Sequence, residues 1–470
     1  MTQEEISNGI LANFGFQPTD SQSIAISELS KFFYNRDDNA IFILTGFAGT
    51  GKTQLISSIV QFFDSIHQPS ILLAPTGRAA KVFSTYANKE ATTIHRKIYW
   101  PSATDSSKNK IQYNKQSNAV FFVDEASMIP TDSQSDLNEN RYNLLDDLMS
   151  YVFGNDNCKL VLIGDTAQLP PIGSKDANAL SKEYLKQYSS SVYGVTLTDV
   201  VRQAQESLII KNATNLRTIL QNELTDKFPK LIANPKMDAI NIKGDELIEA
   251  ITQSFDYYGI EETMIITRSN KRATVFNNGV RNSILFKEDE LSNGDILMVT
   301  KNNYFWTKEN KELSFIANGD LLKVVRVKKH EEMYGFRFVN ATVSIIDKPD
   351  IELDLKLILD SLQSDTPSLT RTQQQQLEQA VYEDYADLTS HRAKLDKCKE
   401  NPYLNALQVK FGYAVTCHKA QGGQWQSIFI DQGYITEEMV DVEYFKWLYT
   451  AITRAQTKLY FVNFSDTFFE

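Results

Sequence analysis

Residues 19–34 place Ile24, Ile26, Leu29, Phe32 and Phe33 at roughly helical spacing, which predicts an amphipathic helix. Residues 40–45 are a short apolar run that stops at a glycine-rich turn, and residues 54–66 then carry Leu55, Ile56, Ile59, Val60, Phe62 and Phe63 on a helical stripe. Strand, glycine turn and helix open a βαβ unit. Further continuous apolar runs occupy 70–74, 119–123 and 160–163. Runs that are apolar without alternation suit parallel strands buried on both faces. Residues 1–200 are therefore expected to form one doubly wound α/β domain.

Two polar stretches interrupt this domain: 101–118, rich in Ser, Asn and Lys, and 131–140. Their length suits projecting loops. Beyond residue 202 the pattern is helical until another buried strand at 263–267. Residues 294–346 alternate more and are broken by turns at Asn293-Gly294, Asn318-Gly319 and Tyr334-Gly335, so 296–300, 321–327 and 343–346 read as short strands of a small barrel. Residues 370–407 are mostly helical, and strands resume at 412–416, 427–430 and 458–463. The expected fold class is α/β with two parallel sheets flanked by helices. The first spans 1–200 and the second 201–282 with 408–470, while 283–407 form an inserted barrel and helical arm.

Composition narrows the class. The chain is 42% apolar and 23% charged, too apolar for a disordered polypeptide. No apolar run approaches the ~20 residues of a membrane-spanning helix, and Glu4 and Glu5 stand where a signal peptide would be basic. Cys158, Cys398 and Cys417 are too few and too far apart for a disulfide framework or a structural zinc site. A cytoplasmic protein is expected. The net charge of −11 does not favour nucleic acid, although a local basic groove can exist within an acidic total. One candidate is 392–419, where Arg392, Lys394, Lys397, Lys399, Lys410 and Lys419 face only Asp396 and Glu400; it reads equally well as a solvated helix face.

The chemistry is concentrated in a few motifs. Gly46-Phe47-Ala48-Gly49-Thr50-Gly51-Lys52-Thr53 fits G-x-x-x-x-G-K-[ST] between a predicted strand and helix. In such a loop backbone N–H groups close round phosphates and the helix start adds positive potential. Lys52 is expected to reach the β- and γ-phosphates of ATP, and Thr53 to hold Mg2+. The buried run before Asp124 and Glu125 delivers two carboxylates to the same sheet edge: Asp124 for Mg2+, Glu125 to orient or deprotonate the attacking water. A third strand leads into Gly164-Asp165-Thr166-Ala167-Gln168-Leu169-Pro170-Pro171, where Gln168 is placed to sense a γ-phosphate. Glu125 points to a hydrolase in preference to a nucleotide store.

In order along the chain, these motifs resemble those of superfamily 1B DNA helicases, the RecD-like and Dda-like branch whose members move 5′ to 3′ on single-stranded DNA. Thr19-Asp20-Ser21-Gln22 resembles the Q motif, which implies that Gln22 reads the adenine edge. Residues 73–80, with Thr76 and Arg78, resemble motif Ia, and residues 92–96, with His95, resemble motif Ib; both imply DNA contacts. Residues 124–127 and 164–171 are similar to motifs II and III. Residues 197–203 resemble motif IV and make Arg202 a candidate arginine finger. Residues 416–422 are similar to motif V, implying DNA contacts by His418 and Lys419 and a cofactor contact by Gly422. Residues 449–455 resemble motif VI, with Arg454 as the second finger. His95 and His418 also read as hydrogen-bonded structural histidines, and Lys419 as a surface lysine.

The resemblance implies two RecA-like domains, an SH3-like barrel at 294–346 within the insertion, a strand-separating pin near 101–118 and an arm at 370–407 that contacts it. It also implies an ATP-driven helicase acting on single-stranded and tailed duplex DNA, alongside single-stranded-DNA-binding or replication and repair proteins, and without a membrane partner. An RNA helicase of the same superfamily and a non-translocating P-loop switch are the competing expectations.

Overall fold

The computed structural model describes residues 1–100, 110–131, 143–171, 173–174, 176–200, 206–225, 227–310, 313 and 315–469. Six strands form the first sheet: β1 (Ile41–Gly46), β2 (Ser70–Ala74), β3 (Ala91–Thr93), β4 (Val120–Val123), β5 (Lys159–Gly164) and β6 (Val192–Leu197), in the order β3-β2-β4-β5-β1-β6. Every pairing is parallel. The apolar runs have this consequence because both sheet faces are covered. Helices Gln3–Ala12, Asp20–Tyr34 and Lys52–Ser65 supply apolar side chains to one face, and Leu144–Val152 and Ile94–Ile98 to the other.

The second sheet takes β7 (Ala239–Ile242) and β8 (Thr263–Thr267) from before the insertion. Between them and the rest of that sheet lies a closed barrel of β9 (Ile296–Val299), β10 (Leu321–Met333), β11 (Phe336–Ile345), β12 (Lys348–Ile358) and β13 (Leu407–Phe411). The sheet is then completed by β14 (Ala414–Thr416), β15 (Trp425–Asp431) and β16 (Ala455–Val462), in the parallel order β14-β8-β15-β16-β7. One boundary differs from the sequence expectation. Strand β13 pairs with β9 and β12 and closes the barrel, so the return to the second sheet comes after residue 411 and not at 408.

Helices Arg371–Glu383 and His391–Glu400 pack Leu377, Val381 and Cys398 against Phe336, Phe338 and Ile358 of the barrel. Residues 101–109 of the expected pin and 132–140 of the second polar stretch lie outside the described residues. At the base of the former, Trp100 N donates to Lys110 O at 3.0 Å and Gln112 N to Ile98 O at 2.7 Å, an antiparallel pairing of the two flanks.

Barrel and second sheet are fastened by one buried carboxylate. Asp295 Oδ1 accepts from Arg281 Nε at 3.1 Å, Lys287 Nζ at 3.0 Å and Tyr413 Oη at 2.9 Å, while Oδ2 accepts from Ser292 N at 2.8 Å. Removing one partner of a buried, hydrogen-bonded ion pair strands the other charge and costs about 3–5 kcal/mol. Asp295→Ala is accordingly expected to lower unfolding free energy by that amount in urea titration; a loss below about 1 kcal/mol, the scale of an ordinary substitution, would contradict the fastening role.

Candidate functional site

In both sheets all strands run in one direction, so the residues that follow them share a rim, where ligands of open α/β sheets bind. On the first rim β1 ends in the glycine loop. Gly49 (φ +77°) and Gly51 (φ +81°) take the left-handed conformation that lets the loop curl back. Gly51 is the N-cap of helix Lys52–Ser65 and offers no side-chain acceptor, so the first helical N–H groups face the loop's concavity. Lys52 Nζ lies over the loop, donating to Gly46 O at 2.5 Å and Phe47 O at 3.1 Å.

Strand β4 delivers Asp124, whose Oδ1 accepts from Glu125 N at 2.9 Å and whose Oδ2 accepts from Tyr86 Oη at 2.6 Å. Glu125 has φ +50°, a conformation that costs a non-glycine residue about 1–2 kcal/mol. Strand β5 delivers Asp165, whose Oδ1 accepts from Ala167 N at 2.9 Å and whose Oδ2 accepts from Tyr449 Oη at 2.5 Å. Lys52, Thr53, Asp124, Glu125, Asp165, Gln168 and Arg454 line one cleft of about 590 Å³ between the two sheets, within the usual size of a small-ligand site.

Burial pushes the carboxyls of Asp124, Glu125 and Asp165 above their ordinary values. The Tyr86 hydrogen bond opposes this at Asp124, the Arg454 guanidinium at Glu125 and the Lys52 ammonium at Asp165. Glu125 Oε2 and Gln168 Oε1 are buried acceptors without a hydrogen-bond partner among the described residues. Buried polar atoms without partners carry a desolvation cost, and here both belong to residues lining the cleft. Among the described residues no group of three or more His, Cys, Asp or Glu side chains is arranged to cage a metal. Mg2+ bound with a nucleotide needs no such cage, since phosphate oxygens and water complete its shell round one or two protein ligands. Thr53 and Asp124 on one cleft wall fit that requirement.

The second sheet closes the cleft through motif V and motif VI residues. Tyr449 Oη, besides donating to Asp165, accepts from Ala48 N of the glycine loop at 3.1 Å. Leu169 N donates to Thr450 Oγ1 at 2.8 Å, and Leu169 O accepts from Gln421 Nε2 at 2.8 Å. Arg454, 4% exposed, is held by Thr450 O at 3.1 Å, Gly423 O at 3.3 Å and Thr453 Oγ1 at 3.1 Å. Tyr86, Tyr449, Thr450 and Gln421 were not singled out from the sequence. The last three lie inside recognisable motifs; Tyr86 carries no sequence signal, being 38 residues from the carboxylate it touches.

Several expected site residues have other surroundings. Gln22 is buried, with Oε1 accepting from Thr19 N at 2.9 Å and Nε2 donating to Thr50 O at 3.0 Å, so its amide braces the glycine loop. Gly422 (φ +74°) does not line the cleft; a Cβ there would lie 3.0 Å from Ala79 Cβ, at the contact between the two sheet units. Arg78 is stacked on Trp425, its guanidinium carbon 4.1 Å from the ring centroid. Burial lowers its pKa, and its planar cation is engaged across the contact between the two sheet units. Thr76 caps helix Gly77–Ala87 through Oγ1, which accepts from Ala79 N at 3.2 Å. His95 packs against Tyr99 with ring centroids 5.7 Å apart. Burial lowers the pKa of His95 and of His418, and takes that of Lys419 down to about 8. Lys419 and Lys410 line a small recess with Asn270 and Thr416. Arg202 lies outside the described residues.

Fold and cleft together define a P-loop nucleotide-binding protein of two RecA-like sheet units with an inserted barrel. Residues 35–174 match the model of an AAA domain, and residues 411–462 that of a UvrD-like helicase C-terminal domain. An uncharacterized protein of Acanthamoeba polyphaga mimivirus is 25% identical across 94% of this chain and 99% of its own length. The ATP-dependent RecD2 DNA helicase of Deinococcus radiodurans is 23% identical over 89% of this chain, which spans 46% of that protein. A solved Pif1 helicase structure, from work on DNA unwinding at forked duplexes, superposes with a TM-score of 0.51 at 16% identity, covering 96% of this chain and 94% of that one. In sequence the chain is thus similar to helicases of the RecD and Dda type, and in fold to Pif1. Among the described residues no helix is long and apolar enough to cross a membrane.

Proposed function

We propose that the chain is an ATP-dependent DNA helicase that translocates 5′ to 3′ on single-stranded DNA. The observation that carries this is the cleft itself: P-loop, paired carboxylates and Gln168 on one sheet, with Arg454 brought to them by the other. Lys52 and the loop N–H groups hold the phosphates in place, Glu125 positions a water and accepts its proton, and Gln168 senses the γ-phosphate. Thr53 and Asp124 would hold Mg2+, which would supply positive charge beside the phosphate oxygens. Arg454 and, by resemblance, Arg202 neutralise charge on the transferring phosphoryl group only when the cleft is closed, which ties domain closure to nucleotide state.

Translocation follows if both sheet units grip one strand while the cleft opens and closes. Thr76, His95, His418 and Lys419 are the candidate contacts, all to the sugar–phosphate backbone, which needs no base preference. Arg78 contributes to the domain contact.

Unwinding assays on duplexes with a 5′ or a 3′ single-stranded tail test the proposal. Activity on the 5′-tailed substrate alone is expected, dependent on ATP and Mg2+. Activity confined to the 3′ tail would reject the polarity, and stimulation of ATP hydrolysis by RNA in preference to DNA oligonucleotides would reject the substrate.

A further inference from the structure

Helix Gly77–Ala87 is anchored to three different parts of the molecule. At its start, a Cβ on Gly77 would lie 2.0 Å from Ala317 Cβ in the loop that precedes β10, so the helix end abuts the barrel. Arg78 is stacked on Trp425 of the second sheet. Lys81 Nζ binds the fully buried carboxylate of Asp320 at 2.9 Å and reaches Asp347 at 3.5 Å, both in the barrel unit. The helix's 11 residues span about 16 Å. At its far end Tyr86 Oη donates to Asp124 Oδ2 at 2.6 Å. The Tyr86 ring stacks on Phe83, with centroids 5.1 Å apart, and Tyr86 O accepts from Ser57 Oγ at 2.8 Å. The phenol is thereby fixed by its own helix and by the helix that follows the glycine loop.

We infer that Tyr86 is a positioning residue for the Asp124 carboxylate, and that helix Gly77–Ala87 conveys to it the placement of the barrel and second sheet. The inference rests on the nucleotide site proposed above and deepens it. With Glu125 N on Oδ1 and Tyr86 Oη on Oδ2, the carboxylate is held at both oxygens, and its rotamer follows the hydroxyl. A hydrogen-bonding partner of a metal-ligating carboxylate fixes its direction, and removing such a partner typically weakens metal affinity about 10- to 100-fold. A short helix gripped at both ends moves as a body. A shift of the barrel or second sheet against the first is therefore felt at the hydroxyl, and the second sheet carries His418 and Lys419, two of the candidate DNA contacts.

Tyr86→Phe removes only the hydroxyl and keeps the ring on Phe83. The probe is a fluorescent ADP derivative, titrated with Mg2+ against the full chain with and without an oligothymidylate. The Mg2+ concentration at half-saturation is expected to rise roughly 10- to 100-fold in the variant, while affinity for the nucleotide in EDTA stays at the parent value. The oligonucleotide is expected to shift the Mg2+ midpoint of the parent and to leave that of Tyr86→Phe in place. Lys81→Met, which cuts the anchor to Asp320 without entering the cleft, should reduce the oligonucleotide effect and retain the parent Mg2+ midpoint.

An unchanged Mg2+ midpoint in Tyr86→Phe would overturn the positioning role. Equal loss of nucleotide affinity with and without Mg2+ would also overturn it, by making the residue merely structural. A full oligonucleotide shift in Tyr86→Phe would overturn the conveying role of the helix. Failure of the helicase proposal is separable: a parent that binds Mg2+ and nucleotide but unwinds neither tailed duplex would remove that activity and leave the Tyr86 titration informative.

Discussion

Lys52→Ala is expected to stop ATP turnover and duplex unwinding together while leaving the fold intact. The ammonium donates to Gly46 O and Phe47 O within its own loop and to no other element among the described hydrogen bonds, so its loss removes little that holds the domain together. What it removes is a fixed positive charge beside the phosphates in a partly enclosed site, where preorganised charge is worth more than in water. Loss of one such group typically costs about 10²–10³-fold in turnover, and translocation that depends on each hydrolysis event falls with it. Phosphate release with single-stranded DNA, unwinding of the 5′-tailed duplex and thermal unfolding check the three parts. Unwinding by Lys52→Ala at the parent rate would falsify the coupling of movement to this site.

The glycine loop could be foreseen because its chemistry is local: eight consecutive residues hold the turn, the lysine and the helix start. The same is true of Asp124, placed by a single buried strand whose apolar run is continuous in sequence; Asp165 follows a comparable strand but was not singled out, since only Gln168 of its motif was given a role. Strands β3 and β6 were not foreseen. They are the two edges of the first sheet, and β6 is buried only at Val192 and Leu197, with more exposed positions between them instead of an apolar block. Strand β10 runs on to Met333 because its last residues, Lys328 to Met333, extend as a hairpin with β11 while remaining mostly exposed. A polar ribbon of that kind has no hydrophobic face to betray it. Helix Gln3–Ala12 was also missed; a Thr2/Glu5 capping box starts it and only Ile6 and Ile10 are buried on it.

The site shows the same division between local and long-range information. A motif gives residue types in order, but not which face of a residue is covered once two distant units close. Arg78 has the composition of a backbone contact and is turned to Trp425 by residues some 350 positions away. Gln22 has the amide expected of a base reader, and both ends of that amide are engaged by Thr19 and by Thr50 of the glycine loop. Tyr449 and Thr450 could be quoted as part of a motif without revealing that their hydroxyls bridge to Asp165, Ala48 and Leu169 of the other unit. These contacts join the second sheet to the first across the cleft.

Arg454→Ala is expected to lower DNA-stimulated turnover about 10³–10⁵-fold, the range for removal of an arginine finger. Its guanidinium is buried and oriented by Thr450 O, Gly423 O and Thr453 Oγ1, so it enters the cleft at fixed geometry. It also counters the burial that raises the Glu125 carboxyl. Its effect should appear mainly in kcat, because the glycine loop and Lys52 of the first sheet still hold the nucleotide, and a group that acts as charge develops leaves ground-state binding nearly intact. Arg454→Lys should not restore the rate: one ammonium cannot reproduce three oriented contacts and still direct charge at the phosphoryl group. Because the alanine variant also leaves Thr450 O and Gly423 O without this donor, thermal unfolding must accompany the kinetics, and fluorescent ADP binding must remain near the parent value. A folded Arg454→Ala protein whose KM rises while kcat stays at the parent level would place this arginine in nucleotide binding and remove it from the chemical step.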